Sequence, residues 1–358
     1  MAANLVPVMP QIAGTVVSIA ADNGDLVRAG QTVVGIDPTD SGIAVEAAEA
    51  NLASAVRKVR GLYNNATGAR DALTGAEADV TARTSALEKV RADYERRRTL
   101  GQSGAIAAED VAHARDALTA AEAALTAARS SLATLRQQFQ ATNALVDETA
   151  LSSHPDVKAA AVRLRAALLE QARTSLKAPI AGYIAKRTAQ IGQRLQPGEP
   201  LMAIVPLRQA WVDANFSETQ LANVRIGQPV TIRSDLYGGD THYAGKVESI
   251  GVGTGSAFAL LPAQNATGNW IKIVQRIPVR VVFTDPRQLD EHPVRVGMSM
   301  RVQIDVHDQG GAVLPSSPPT RPLFSSDLYR QQLAEADAKI AQVIRVNSAA
   351  QSAATVKP

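Results

Sequence analysis

With 358 residues the chain can build two or three domains, and its 46% hydrophobic share contains only 4% aromatic residues, which favours slim, closely packed helices over one thick core. Lys and Arg number 37 against 34 Asp and Glu, a formal charge of +3 with the signs interspersed, so the clustered basic face of a nucleic-acid binder is missing. Cysteine is absent, which excludes disulfides, thiolate metal sites and cysteine nucleophiles and fits an oxidising compartment such as a bacterial periplasm.

No run of about 18 apolar residues crosses the sequence, and no basic-then-apolar leader opens it. A strand pattern starts only a few residues after Met1, which is the expectation for a chain whose membrane anchor lies ahead of residue 1. The first segment, residues 6–37, is β-rich and recurs later. Ala13-Gly14-Thr15-Val16 through Ile36 aligns without a gap on Ala181-Gly182-Tyr183-Ile184 through Ile204. Gly14 falls on Gly182, Gly24 on Gly192 and Gly30 on Gly198, with Val16 on Ile184, Val27 on Leu195 and Ile36 on Ile204. A unit used twice cannot form a solenoid, which needs at least about three copies. Residues 6–37 and 176–206 are therefore expected to close one sandwich, and whatever separates them must leave and return to one place.

Residues 38–175 do so as a helical hairpin. Val45, Leu52, Val59, Ala66, Leu73, Val80, Leu87 and Tyr94 recur every seventh residue, followed by Val111, Leu118, Leu125, Leu132, Phe139 and Val146. Small residues such as Ala48, Ala55, Ala69, Ala76, Ala114, Ala121 and Ala128 stand beside them. Strict heptads predict a left-handed coiled coil with closely approaching backbones. Asp37-Pro38-Thr39-Asp40 supplies capping side chains, the first helix is predicted to run from Thr39 to about Arg98, and Gly101-Gln102-Ser103-Gly104 places the tip at about 99–107. Pro155, within Ser152–Asp156, interrupts the return path.

From 207 to 308 the period changes to two, at Val230 and Ile232, Val279 and Val281, and Val302, Ile304 and Val306. Several short strands with a short helix near Ser217-Glu218-Thr219-Gln220 predict a small β-barrel. Residues 309–358 read as a Gly/Pro/Ser-rich linker and then a lone amphipathic helix, about 326–347, with Leu328, Leu333, Ile340 and Ile344 on its apolar side.

Enzymatic chemistry finds no support. His113, His154, His242, His292 and His307 lack metal-ligand spacing. Gly251-Val252-Gly253-Thr254-Gly255 lacks the Gly-Lys-Ser/Thr that completes a phosphate loop. No catalytic residue, metal or cofactor is expected.

Lipoyl-like halves split by an α-hairpin and followed by a barrel resemble the membrane fusion proteins, the HlyD-like periplasmic adaptors of bacterial tripartite pumps, and most of all their EmrA-type multidrug efflux branch. The resemblance is carried by Val8-Met9-Pro10-Gln11-Ile12-Ala13-Gly14-Thr15-Val16, by Trp211-Val212-Asp213-Ala214-Asn215-Phe216, and by Gly253-Thr254-Gly255-Ser256-Ala257-Phe258 with Leu261 through Trp270. It covers about residues 6–306. It implies an elongated α+β multidomain fold: a lipoyl-like sandwich split by a long antiparallel coiled-coil hairpin, then a small barrel. Gly14, Gly24, Gly30, Gly182, Gly192 and Gly198 are its structural glycines.

It also implies a periplasmic protein held to the inner membrane by a segment ahead of residue 1, and self-association into a ring, a trimer or a hexamer. The implied partners are an inner-membrane major-facilitator-type drug transporter and a TolC-like outer-membrane channel, with direct drug contact by the adaptor left open. Many adaptors carry Arg, then after three residues Leu, then after six residues Ser at the tip. Arg96 and Leu100 match, Ala107 departs, and Ser103 lies nearby, so Arg96, Leu100 and Ser103 are the candidate docking residues. The alternatives are a type I secretion adaptor, a lipoyl or biotinyl carrier with Lys177 as the nearest lysine, and a structural coiled-coil scaffold.

Overall fold

The computed structural model describes residues 1–146, 149–238, 241–255, 257–258, 274–318, 320 and 322–349. Much of the run that carries the family resemblance, Leu261 through Trp270, lies outside them. The helices among the described residues are α1 (Thr39–Gln102), α2 (Ala108–Asn143), α3 (Pro155–Ala172), α4 (Arg287–Glu291) and α5 (Leu328–Ala349). The chain divides into two compact units, Met1–Asp40 with Glu170–Gln332, and Ser41–Leu169 with Leu333–Pro358.

The helical unit is built on the heptads. Val45, Leu52, Val59 and Ala66 are buried on α1, while Leu73, Val80, Leu87 and Tyr94 are half-buried. On α2 the predicted seam Val111, Ala114, Leu118, Ala121, Leu125, Ala128, Leu132, Leu135, Phe139 and Thr142 is buried or half-buried throughout, with Ala124 and Asn143 half-buried beside it. The two helices run antiparallel: Arg136 pairs with Glu77 at 3.5 Å, Arg91 pairs with Glu122 at 3.2 Å, and the Arg70 guanidinium lies 5.8 Å from the Phe139 ring centre. These exposed pairs fix register more than they stabilise, since such ion pairs contribute about 0–1 kcal/mol. Arg83 and Arg97, placed on the seam by strict spacing, are exposed, and Thr84 turns inward beside Val80 instead.

The α2–α3 break is made by His154. Its Nδ1 accepts the Asp156 N–H at 3.2 Å, its Nε2 lies 3.1 Å from the Leu145 carbonyl oxygen, and Pro155 takes the first helical position, where a missing N–H costs nothing. Val157, Ala160, Leu164 and Ala167 of α3 then pack on Val45, Leu52, Val56 and Val59.

The C-terminal helix is not a lone one. Ile340 is buried in the α1–α3 core with Val343 and Ile344 packed against it. Lys339 reaches Glu49 at 3.0 Å, Arg165 reaches Asp337 at 2.7 Å, and Arg57 donates to Asn347 Oδ1 at 2.9 Å. Leu333, assigned to the apolar side from sequence, is 42% exposed, and Ala336 is buried instead.

The β unit begins with a sandwich. Its strands are β1 (Val6–Val8), β2 (Gly14–Ile19), β3 (Leu26–Val27), β4 (Thr32–Ile36), β5 (Ser175–Lys177), β6 (Gly182–Arg187), β7 (Arg194–Leu195) and β8 (Met202–Val205), in two sheets ordered β1-β8-β6-β3 and β5-β4-β2-β7. Each half gives strands to both sheets, and the pairings repeat with the halves exchanged. Val8 faces Met202 as Leu176 faces Val34, Val16 faces Ile36 as Ile184 faces Ile204, and Gly14 faces Leu195 as Gly182 faces Val27. Neither half can close a core alone. β4 and β5, the strands flanking the inserted hairpin, are direct neighbours, so the insertion leaves and returns at one point.

α1 starts immediately after β4. The Asp37 carboxylate accepts the Thr39 hydroxyl at 2.7 Å and the Thr39 N–H at 3.0 Å, and these bonds hold its pKa below the usual carboxylate range.

The barrel strands are β9 (Trp211–Ser217), β10 (Pro229–Ser234), β11 (His242–Ile250), β12 (Arg276–Phe283) and β13 (Met300–Ile304), ordered β13-β10-β11-β12-β9 with every pairing antiparallel. Val212, Val230, Ile232, Tyr243, Val247, Val279 and Val281 form its core, with Leu289 of α4. The Tyr243 hydroxyl, buried with its ring, donates to the His292 carbonyl at 2.9 Å, and burial raises its pKa. A smaller cluster of Ala3, Val205 and Ala210 joins sandwich and barrel inside this unit.

Candidate functional site

The hairpin tip is a helix terminus folded back on itself. α1 continues through Leu100 and Gly101 to Gln102, further than the heptads alone predicted. Gly104 has φ +74°, its N–H donates to the Gly101 carbonyl at 3.0 Å, and the Ala105 N–H donates to the Leu100 carbonyl at 3.0 Å. That pair of bonds is a Schellman closure, which satisfies the last carbonyls of a helix and needs the left-handed conformation glycine tolerates. The Ser103 hydroxyl donates to the same Leu100 carbonyl at 2.7 Å, so this serine braces the turn and presents only acceptor capacity outward. Val111 and half-buried Ile106 close the tip from below; a side chain on Gly101 would meet Val111 Cγ2 at 2.8 Å.

Leu100 stands 43% exposed at this turn. Arg96 lies one helical turn before it with its side chain 68% exposed, and its partner Asp93, at 3.7 Å, is held more closely by Arg97 at 2.8 Å. Arg96 and Leu100 thus lie in about the last two turns of α1, with Ser103 in the turn just beyond it, an exposed apolar side chain beside a weakly paired cation. Ala107 is the N-cap residue of α2 and makes no side-chain cap. A serine at that position would serve as a helix cap, a role alanine fills poorly. The departure at position 107 is therefore one of capping.

The six glycines carry the sandwich geometry. Gly24 and Gly30 have φ of 90° and 81°, and their repeat partners Gly192 and Gly198 have 80° and 87°. Gly14 and Gly182 are close-approach positions, where an added Cβ would lie 2.4 Å from Ile36 Cγ2 and 2.6 Å from the Val205 carbonyl oxygen. The Gly24 turn is locked to the other half by Asp22, which binds Arg187 Nε at 2.8 Å; that bond holds the Asp22 carboxyl below its usual range.

Nothing among the described residues forms a metal-ligating cluster, and none of their helices is long and apolar enough to cross a membrane. Lys177 sits within β5, paired opposite Thr32, rather than on an exposed turn where a carrier presents its lysine.

Two features escaped the sequence. The first is the packing of α5 on α1 and α3: Ile340 and Ile344 were legible as part of an apolar side, but Val343, buried Ala336 and the partner surface were not. The second is the open side of the barrel, lined by Asp213, Asn215, Met300 and Val302; Trp211 to Phe216 was legible as a motif, but the number of strands was not.

A family model described as the EmrA α-helical hairpin domain matches residues 39–174, and one described as the AaeA-like β-barrel domain matches residues 209–305. The multidrug export protein EmrA of Escherichia coli K12 is 42% identical over 348 residues, 97% of this chain and 85% of that protein. The fatty acid resistance protein FarA of Neisseria gonorrhoeae is 43% identical over 313 residues, 87% of this chain and 76% of that protein. The solved structure of the periplasmic adaptor protein EmrA is 22% identical and covers 85% of this chain and 95% of its own, with a TM-score of 0.45. Identity above 40% across most of both chains, with hairpin and barrel each matched in sequence, decides the assignment: the chain belongs to the EmrA-type family of multidrug export adaptors, the membrane fusion proteins.

Proposed function

We propose that this chain is the periplasmic adaptor of a tripartite multidrug efflux pump, carried to the inner membrane by a segment ahead of Met1. It works without enzymatic chemistry, bridging a major-facilitator-type proton-driven exporter to a TolC-like outer-membrane channel. Copies assemble into a ring, a trimer or a hexamer, whose barrels and sandwiches surround the export path.

One observation carries the reading beyond family membership. α1 has 64 residues and so extends about 95 Å at 1.5 Å per residue, and it ends in a rigidly closed turn that leaves Leu100 uncovered. A spacer needs length but not an exposed apolar tip braced by three hydrogen bonds to two carbonyls. Export energy comes from the transporter in this scheme, because the residues present no nucleotide-binding loop.

The test is complementation. In a strain lacking its own EmrA-type system, the membrane-anchored protein expressed with its exporter is expected to restore resistance to hydrophobic drugs. Unchanged susceptibility with the protein correctly folded and membrane-bound would sink the efflux reading. Restored secretion of a protein substrate through an ATP-driven partner would favour a type I secretion adaptor.

A further inference from the structure

The first turn of α5 covers an open edge of the sandwich. β1 and β5 are the outer strands of their two sheets, each with one unpaired edge, and the repeat makes them equivalents. The chain entering α5 is tied down beside β5, where the Ser326 hydroxyl donates to the Pro179 carbonyl at 3.1 Å. Residues of β1, β5 and α5 there line a cavity of about 60 Å³. That volume holds a few waters or one small ion, far short of the roughly 300 Å³ at which drug-sized pockets begin.

Its walls carry charge of one sign. Arg173, Ser175 and Lys177 alternate with buried Thr174, Leu176 and Ala178, so the period of a strand turns all three to the cavity side. No carboxylate lines the cavity, and neither Arg173 nor Lys177 has an ion-pair partner among the described residues. The helix adds its positive end. The N–H groups of Arg330 and Gln331 both donate to the Asp327 carbonyl at 3.1 Å, which leaves those of Leu328 and Tyr329, both lining residues, without a backbone acceptor among the described residues. Asp327 lies outside the lining and pairs with Arg330 at 3.1 Å.

Gln332 points to a ligand independently of the helix end. It occupies the inward stripe of α5, Leu328, Gln332, Ala336 and Ile340, where packing alone would select an apolar side chain. It is 9% exposed, and its amide makes no hydrogen bond among the described residues. No fully enclosed side-chain polar atom of the described residues lacks a partner, so the Gln332 amide opens onto the cavity it lines. A buried amide calls for a partner, and here the chain supplies none. We propose that the cavity binds one small oxyanion and that the bound ion ties the first turn of α5 to β5. Lys177 and Arg173 hold it from the strand side; the Leu328 and Tyr329 N–H groups and the Gln332 amide hold it from the helix side. Donors converging from two sides suit the tetrahedral oxygens of a phosphate-type group better than a planar carboxylate.

The inference goes beyond the efflux reading, and its test needs neither exporter nor channel. The full chain is titrated with inorganic phosphate at constant ionic strength, by calorimetry and by amide exchange. One phosphate is expected to bind per chain and to slow exchange of the Tyr329 amide by about threefold or more. Lys177→Gln and Gln332→Leu are each expected to weaken binding by about tenfold, the loss of one charge-assisted or buried hydrogen bond. Lys186→Gln, at an exposed lysine outside the cavity, should leave it unchanged. Gln332→Leu places an apolar side chain on an apolar stripe, so it keeps the question open to measurement even if Lys177→Gln disturbs β5. Vesicles containing phosphatidylglycerol name the source: sedimentation that phosphate competes away gives the site a lipid headgroup, and its absence leaves a free ion. No saturable phosphate binding, binding that Lys177→Gln and Gln332→Leu leave unchanged, or an equal loss in Lys186→Gln would overturn the proposal.

Discussion

Gly182→Ala is expected to destabilise the sandwich by about 3 kcal/mol, the upper end of what overpacking a filled core costs. The added methyl would lie 2.6 Å from the Val205 carbonyl oxygen, 2.8 Å from the Val205 carbonyl carbon and 2.9 Å from Ile204 Cγ2. Two of these are backbone atoms of β8, so relief means separating β6 from β8 along a paired ladder. The equivalent change in the other half, Gly14→Ala, meets only the Ile36 side chain, with Cγ2 at 2.4 Å. Ile36 is buried and β-branched, so the adjustment costs a rotamer change, about 1–2 kcal/mol, but no strand moves. Denaturant titration read from exchange of the Val34 and Ile184 amides should therefore rank wild type above Gly14→Ala and Gly14→Ala above Gly182→Ala. Equal losses, or the reverse order, would contradict the close-approach account.

The second large effect is functional. Arg96→Asp combined with Leu100→Asp is expected to reduce drug resistance in the complemented strain to the empty-vector level while leaving thermal unfolding unchanged. Leu100 is the exposed apolar side chain of the tip and Arg96 its weakly paired cation. Removing an apolar anchor and reversing a neighbouring charge at an interface centre costs about 4 kcal/mol together, roughly a thousandfold in affinity. Neither residue is buried in the chain itself, so stability should not follow. Full resistance from the double variant would remove Arg96 and Leu100 from the docking surface.

Much of this architecture was legible because it rests on periodicity. The heptads named the seam of α1 and α2 almost residue by residue, since only the buried stripe of a coiled coil must stay small or apolar. The gapless match of Gly14 to Gly182 gave one sandwich from two halves, and the exchanged pairings of Val8 with Met202 and Leu176 with Val34 are its three-dimensional form. What stayed hidden depends on contacts with no period of their own. Helix α1 runs through Gly101 because a Schellman turn, rather than the first glycine, ends it. The apolar side of α5 was legible at Ile340 and Ile344, but that it packs on α1 and α3 was not, because no period in one segment names its partner. The unfilled side of the barrel follows from strand number and direction, which no single segment encodes.

The central claim is that the tip meets an outer-membrane channel, and photo-cross-linking in cells tests it most directly. A photoreactive residue replacing Leu100 in the anchored protein is irradiated in intact cells, with the same residue at exposed Arg83, well below the tip, as the comparison. The account predicts an adduct containing a TolC-like outer-membrane channel from position 100 and none from position 83. Adducts from position 100 that contain only further copies of the adaptor, or no adduct at all in cells whose resistance is restored, would contradict it.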